Sequence, residues 1–489
     1  MTVVRRLAPA LLGVALAVLA LGPALGPGFV LRYDMVFVPD PPILPDTGGF
    51  PRAVPSDLVM ALLSRVVPAQ LVQKAVLVGI FVLAATGAAA LVPKGTLAKL
   101  AAAAFYGWNI YLAQRLLLGQ WALLLGVAAL PWAIKALAPG SGRAAWWWLP
   151  LALLPAAVGG FQAMLVSALA LLPVAAFVRR LPAALLWLAL LSLPWLVPAL
   201  AAQAVTDPVG VDAFAARADG PFGVLGSLLA GGGIWNAEAG VPGQDDWWQA
   251  TARLLLAVAG LAGFVRLGRS KERPAWWTGL AVASAAGLVI AALGPLVLEQ
   301  LIALWPGFGP LRDGQVYVAP MVLAVAVGLS SLPVPRPLVI VAPLLVLPTF
   351  ALGAFGRLDA VRYPGDWRAV QRIVNEDSAP GALLTLPWSA YRAHAWNEHR
   401  VILDPATKLF DRRVVWNDGL RIGMADGRVL VLDVEDPLAR KVGEQLGRNV
   451  LDESTIRYVL LPASENTFLT DDPAWRPVFQ GRELLLLRR

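Results

Sequence analysis

Residues 7–25 read LAPALLGVALAVLALGPAL, follow Arg5 and Arg6, and lead into RYDMVFVPD at 32–40. An apolar run of this length is close to what the ~30 Å hydrocarbon core of a bilayer requires, and basic residues mark the cytoplasmic end of a span. The chain is therefore expected to start in the cytoplasm, cross once, and carry Asp34 to the outer bilayer edge. Flanked there by Tyr33 and Phe37 at headgroup depth, its carboxylate is placed to take a proton from a hydroxyl arriving from water. The plainer alternative is a solvated loop acid. The segment has the basic start and apolar middle of a secretory leader, but no small-x-small cleavage pattern follows, so it is read as retained.

Composition extends this reading to the whole chain. Of 489 residues, 58% are hydrophobic and 15% charged, with a mean hydropathy of +0.66, whereas soluble domains carry about a quarter charged residues. This is the composition of a polytopic α-helical membrane protein. The net charge of +8 comes from Lys and Arg gathered at the ends of apolar runs on one side, a topology signal that argues against a nucleic-acid partner. The absence of cysteine excludes disulfides, thiol catalysis and cysteine metal sites. His394, Glu398 and His399 follow no familiar ligand spacing, and neither a metal nor another cofactor is expected. Walker, G-x-G-x-x-G and G-x-S-x-G patterns are missing from the sequence.

Beyond Asp34, Pro39, Pro41, Pro42, Pro45 and Gly48-Gly49 shape a first outer loop taken as 28–70. Ser56 to Val67 reads as an interfacial amphipathic helix capped by Ser56, with Leu58, Leu62, Leu63 and Val66 on one side and Asp57 and Arg65 on the other. Apolar runs at 71–92, 100–110, 121–137, 181–202, 254–265, 276–298, 316–332 and 339–355, with a two-span hairpin that opens at Trp146–Trp148, turns at Gly159–Gln162 and closes at Arg179-Arg180, bring the expected total to about eleven spans. Lys94, Lys99, Lys135, Arg143, Arg179, Arg180, the 266–273 turn and Arg336 mark the inner side. Three outer segments stand out. Asn109 to Gln120 carries Arg115. The loop 205–249 holds Phe214, Phe222, Trp235 and Trp247 and is long enough to cover a site. Trp305 to Gln315 carries Arg312. A guanidinium at the depth of Asp34 suits phosphate, through two parallel hydrogen bonds, and equally suits lipid headgroups.

The odd span count places the C-terminus outside. From Gly356 the composition turns to that of an α/β domain (356–489, against 1–355 for the membrane part), with a helix at Asp366–Asn375, strands at Ala382–Leu386 and Arg457–Leu461, and an edge strand at Glu483–Leu487. Tyr391, Arg392, His394, Trp396, Asn397, Glu398 and His399 form the mixture found on sugar-binding surfaces, because rings stack on pyranose faces.

With Tyr33-Asp34-Met35 just past the first helix, an amphipathic helix over 56–67 and an outward-facing domain from Gly356, the chain resembles the GT-C superfamily of membrane glycosyltransferases. Its 109–120 and 311–315 segments resemble those of actinobacterial members related to arabinosyl and mannosyl transferases. Asp34 lacks the immediately following acid of the protein O-mannosyltransferase pattern, and Asp40 is the second carboxylate nearby. The resemblance implies an enzyme of the cell membrane, surrounded by lipid, that moves a sugar from a polyprenyl-phosphate donor to an envelope glycan, lipid or protein acceptor with inversion. It makes Asp34 the base, brings Arg115 and Arg312 together on the donor phosphate, and offers Tyr33, Asn109, Tyr111, Gln120, Asp313, Gln315 and Trp396 as substrate contacts. A lipid or glycolipid transporter would place ionisable groups at the midplane, whereas these spans carry theirs near the ends. A non-catalytic scaffold for envelope assembly would share the fold without the acid and arginines.

Overall fold

The computed structural model describes residues 2–43, 54–93, 95–139, 145–201, 210–423, 429–432, 434, 436–465 and 467–489. Pro45, Gly48, Gly49, Lys94, Arg143 and positions 205–209 of the long loop lie outside them. Among the described residues, four helices are long and apolar enough to cross a membrane: Arg5–Leu25, Ala69–Leu91, Leu181–Ala201 and Trp247–Gly268. Two further candidates are bent, Trp277–Leu293 turning by 87° into Pro295–Leu304 and Arg336–Val346 by 66° into Pro348–Gly356. A proline opens the second half of each, where it has no N–H to continue the ladder.

Trp121–Leu137, Trp147–Gly159, Phe161–Phe177 and Gly314–Leu329 are shorter apolar helices. Full-length crossings thus number up to six by length and composition, against the eleven or so expected. Apolar runs report burial in lipid and burial in protein alike. The 100–110 run shows the difference: it belongs to the 12-residue helix Thr96–Gly107, about 18 Å long, and most of its residues are buried in the bundle.

The chain reaches the first loop through a 3₁₀ turn (Gly22–Leu25) and a strand, Phe29–Val30, that pairs antiparallel with Ala360–Val361, just past the last apolar helices. Only glycine fits at position 28, where φ is +115° and a Cβ would lie 2.3 Å from the Val361 carbonyl oxygen. Gln73, buried on the helix Ala69–Leu91, takes the other edge of the strand like a third backbone, accepting from Val30 N at 2.9 Å and donating to Val30 O at 2.7 Å. Leu352, Gly353, Ala354 and Phe355 all lie in the left-handed region, with φ between 50° and 69°. This turn, uncommon for L-residues, leads the chain from the last bent pair toward the C-terminal strands.

The interfacial helix runs Ser56–Ser64 with Pro55, and not Ser56, in the cap position and without a side-chain cap bond. Its Leu62 and Leu63 are exposed, as is Val66 just beyond it, while Asp57 on the other side pairs with Lys408 at 3.0 Å. The C-terminal part is built on a five-stranded mixed sheet in the order 476–480, 484–488, 456–462, 382–385, 414–415. Its first three strands are antiparallel and its last two pairings parallel. The strand expected at the edge, 483–487, lies one place inside it. Its leucines are buried, and the edge goes to Arg476–Gln480, with its exposed ends.

Candidate active site

Arg32 and Met35 close a tight hairpin, Met35 N donating to Arg32 O at 2.9 Å and Arg32 N to Met35 O at 3.2 Å, which leaves Tyr33 and Asp34 at its tip. Tyr33 takes φ of 44°, the conformation such a two-residue tip requires. The flanks are pinned by burial of Leu31, Met35, Val36, Phe37 and Val38, with Phe37 packed on Trp121. The hairpin rests on the Leu118–Gly119 turn, where Asp34 N donates to Leu118 O at 3.3 Å. Asp34 is half-buried at the tip. Asp40 is exposed, and its carbonyl accepts from Gln371 at 2.7 Å.

The C-terminal part closes over this tip. Tyr33 N donates to Val401 O at 2.8 Å, Leu403 N donates to Tyr33 O at 3.0 Å, and the Tyr391 hydroxyl donates to Asp34 Oδ1 at 2.5 Å. The long loop closes from another side. Its Asn236 hydrogen-bonds the Tyr33 side chain, and its Glu238 carbonyl accepts from Arg32 at 2.8 Å and from Arg357 at 3.2 Å. Arg357 and Arg400 thereby gather near Arg32, which lies over the Tyr33 ring. Burial, reinforced by repulsion from Arg357 and Arg400, holds Arg32 below the usual guanidinium range against the opposing pull of Tyr33 and Glu238. Arg400, 8% exposed, pairs with Glu398 at 2.7 Å through Nη1. Its buried Nε and Nη2 have no hydrogen-bond partner among the described residues, an unusual state for buried donors.

Most residues expected to touch substrate converge elsewhere, on one internal network. Arg115 is fully buried on the short helix Ile110–Leu117. It grips Asp313 with both terminal nitrogens, at 2.6 and 2.8 Å, and also donates to Gln120 at 2.6 Å and to Gln315. Gln315 reaches on to Gly231 O at 3.0 Å, and Tyr111 donates to Val316 O at 2.8 Å. Asn109 caps its helix, accepting from Leu112 N at 2.9 Å while donating to Phe105 O and Tyr106 O. Arg312, next in sequence to Asp313, places its guanidinium 4.5 Å from the Phe214 ring centre. The network reaches Asp34 through the Leu118–Gly119 turn that follows the Arg115 helix.

Trp396 stands in an aromatic cluster with Tyr363, Trp367 and His394, its ring centre 4.8 Å from Tyr363 and 5.2 Å from His394. Burial there pushes His394 down to about 4, with Arg392 adding to the effect and Asp404 opposing it. The long loop is organised by buried Asp219, which accepts from Gln114 at 2.8 Å, Gln244 at 3.3 Å and the Gly233 N–H. Arg32, Arg357, Arg400, Asn236 and the Tyr391 contact were not selected from the sequence. Their only advance signal was the aromatic and polar mixture around Tyr391, since no periodicity links positions 357 residues apart.

Apolar helices with two bent pairs, an acid on the first loop and a sheet-bearing C-terminal part closing over it make up a membrane protein with the GT-C fold. The cryo-EM structure of arabinofuranosyltransferase AftD from Mycobacteria matches with a TM-score of 0.60 and 16% identity, over 99% of this chain and 39% of that one. A mutant of the same protein gives 0.57 and 15%, over 99% and 41%. The archaeal oligosaccharyltransferase AglB from Archaeoglobus fulgidus, in complex with an inhibitory peptide and a dolichol-phosphate, gives 0.45 and 11%, over 94% and 69%. The chain thus spans about two fifths of the length of AftD. No protein-family description matches the sequence, and no curated protein is significantly similar to it.

Proposed function

We propose that the protein is a membrane glycosyltransferase that moves a sugar from a polyprenyl-phosphate donor to an envelope glycan, lipid or protein acceptor at the outer membrane face. The observation that carries this reading is the half-buried Asp34 carboxylate, held at a hairpin tip by the Tyr391 hydroxyl of the C-terminal part, with Arg357 and Arg400 gathered around Arg32 two residues before it. The acceptor oxygen attacks the anomeric carbon from the face opposite the phosphate. The carbon–oxygen bond to phosphate breaks with its electron pair going to the phosphate, the configuration inverts, and the acceptor proton passes to Asp34. A carboxylate with an ordinary pKa near ~4 is a weak base toward a free alcohol, so the transfer belongs late, as the attacking hydroxyl becomes acidic.

Charge grows on the leaving phosphate, and preorganised cations placed there lower the barrier. The unpartnered Nε and Nη2 of Arg400 suit such an anion. Arg115, engaged by Asp313, Gln120 and Gln315, is assigned to holding the outer turns together. Arg312, against Phe214, is retained as an outer phosphate contact. The amino end is assigned to the cytoplasm and the C-terminal part to the outside.

The test is turnover by purified protein in liposomes, using polyprenyl-phosphate arabinofuranose and matched hexose donors. Asp34→Asn should lower turnover by about a hundred- to ten-thousand-fold with donor binding little changed, whereas Asp40→Asn should stay within about tenfold of wild type. Equal turnover in wild type and a folded Asp34→Asn would remove Asp34 from the chemistry. Loss in Asp40→Asn alone would move the base by six residues.

A further inference from the structure

The Tyr391–Asp34 hydrogen bond joins positions 357 residues apart, and both sides of it are braced. Tyr391 opens the strand Tyr391–Ala393, paired antiparallel with Val401–Leu403 so that Tyr391 faces Leu403. The backbones of Val401 and Leu403 hold the two sides of Tyr33, the residue before the acid, at 2.8 and 3.0 Å. Beneath the hairpin, Arg392 is anchored to Asp404 at 3.0 Å, Thr385 at 2.9 Å and the Pro387 carbonyl at 2.8 Å. Asp404 N in turn donates to Ala390 O at 3.0 Å, fixing the residue before Tyr391. The phenol therefore comes from a rigid base, and the acid sits at the tip of a loop.

We propose that Tyr391 is a positioning residue for the transfer: its hydroxyl fixes Oδ1 of Asp34 and so sets the direction in which the other carboxylate oxygen meets the acceptor. The C-terminal part then completes the reacting centre and is more than an acceptor-binding accessory. This rests on Asp34 being the base. A base misaligned by a fraction of an ångström loses much of its rate advantage, and a loop-tip carboxylate has more rotational freedom than one on a helix or strand. The same O–H stabilises the ionised carboxylate, so its removal makes Asp34 easier to protonate. Charged and titratable groups beside the hairpin include Arg32 and Tyr33 within it, Glu238 on the long loop, Arg357, and Arg400 on the C-terminal part. All of them are unchanged in the variants below.

Full-length protein in liposomes with polyprenyl-phosphate arabinofuranose as the probe should show kcat reduced about ten- to a hundredfold in Tyr391→Phe, with donor KM within about threefold. The acid limb of its kcat/KM profile should move up by roughly one pH unit. Replacing Tyr391 with 2,3-difluorotyrosine, a stronger donor of the same shape, should keep kcat and move that limb down. A substrate-free readout is the infrared titration of 13C-aspartate protein, with the Asp34 band isolated by subtracting the Asp34→Asn spectrum. It should move in the same directions. A role in folding alone would lower the amount of folded protein and leave both titrations in place. An unchanged Asp34 titration in Tyr391→Phe, with Asp34→Asn inactive, overturns this inference alone. Wild-type turnover in Asp34→Asn overturns the catalytic reading and this inference with it.

Discussion

Arg115 shows how much a buried charge depends on what surrounds it. Its pair with Asp313 is wholly inside the protein, where removing one partner strands the other and costs about 3–5 kcal/mol, while removing both costs far less than the sum. Arg115→Leu and Asp313→Leu should therefore each lower thermal stability in detergent sharply. The double variant should recover much of the loss, a coupling that independent sites would not give. If the recovered double variant also retains turnover within about tenfold, Arg115 is a brace. A folded but inactive one would return it to the donor phosphate. His394 offers a second residue-level test. Its folded value of about 4 lies below the ordinary imidazole value of 6.5, so the neutral form is favoured by folding. Its contribution is full above pH ~6.5 and is lost as pH falls toward 4. The unfolding temperature should fall across that window in wild type and fall less steeply in His394→Gln.

At the scale of elements, the acid is placed by a hairpin lying on a turn. Gly119 has φ of +85°, and a Cβ there would come within 2.3 Å of Met35 N and 2.5 Å of Arg32 O. Gly119→Ala should push the Asp34 tip off its seat while leaving the bundle intact, lowering turnover by about a hundredfold as small misplacements do. Wild-type turnover in that variant would show that the tip tolerates displacement. The helix Ser56–Ser64 was legible because its apolar face is written in the spacing of Leu62, Leu63 and Val66, which are exposed. Its cap was not. Ser56 is a good capping type, but the helix starts one residue earlier than a Ser56 cap implies. Strand positions in the C-terminal sheet were readable from their apolar runs. Their order was not, since the next strand's backbone, and not local sequence, decides which strand ends at an edge.

For the whole molecule, the proposed orientation follows from basic inner turns. A chain without cysteine suits labelling. Ser378→Cys, exposed on the C-terminal part, should react with an impermeant maleimide from outside intact cells. Labelling only after the cytoplasm is opened would invert the topology. By itself the sequence determined the membrane class and the resemblance to the GT-C fold, because hydropathy, charge asymmetry and short local motifs act over a few turns of chain. Only the tertiary structure decided which polar groups meet. Asp313 captured Arg115 across 198 residues, and Tyr391 reached Asp34 across 357. Arg32, Arg357 and Arg400 gathered where three distant segments close on one hairpin. Hydrogen bonds and ion pairs act within a few ångströms, so partners brought together by packing leave no periodic trace in the chain that encodes them.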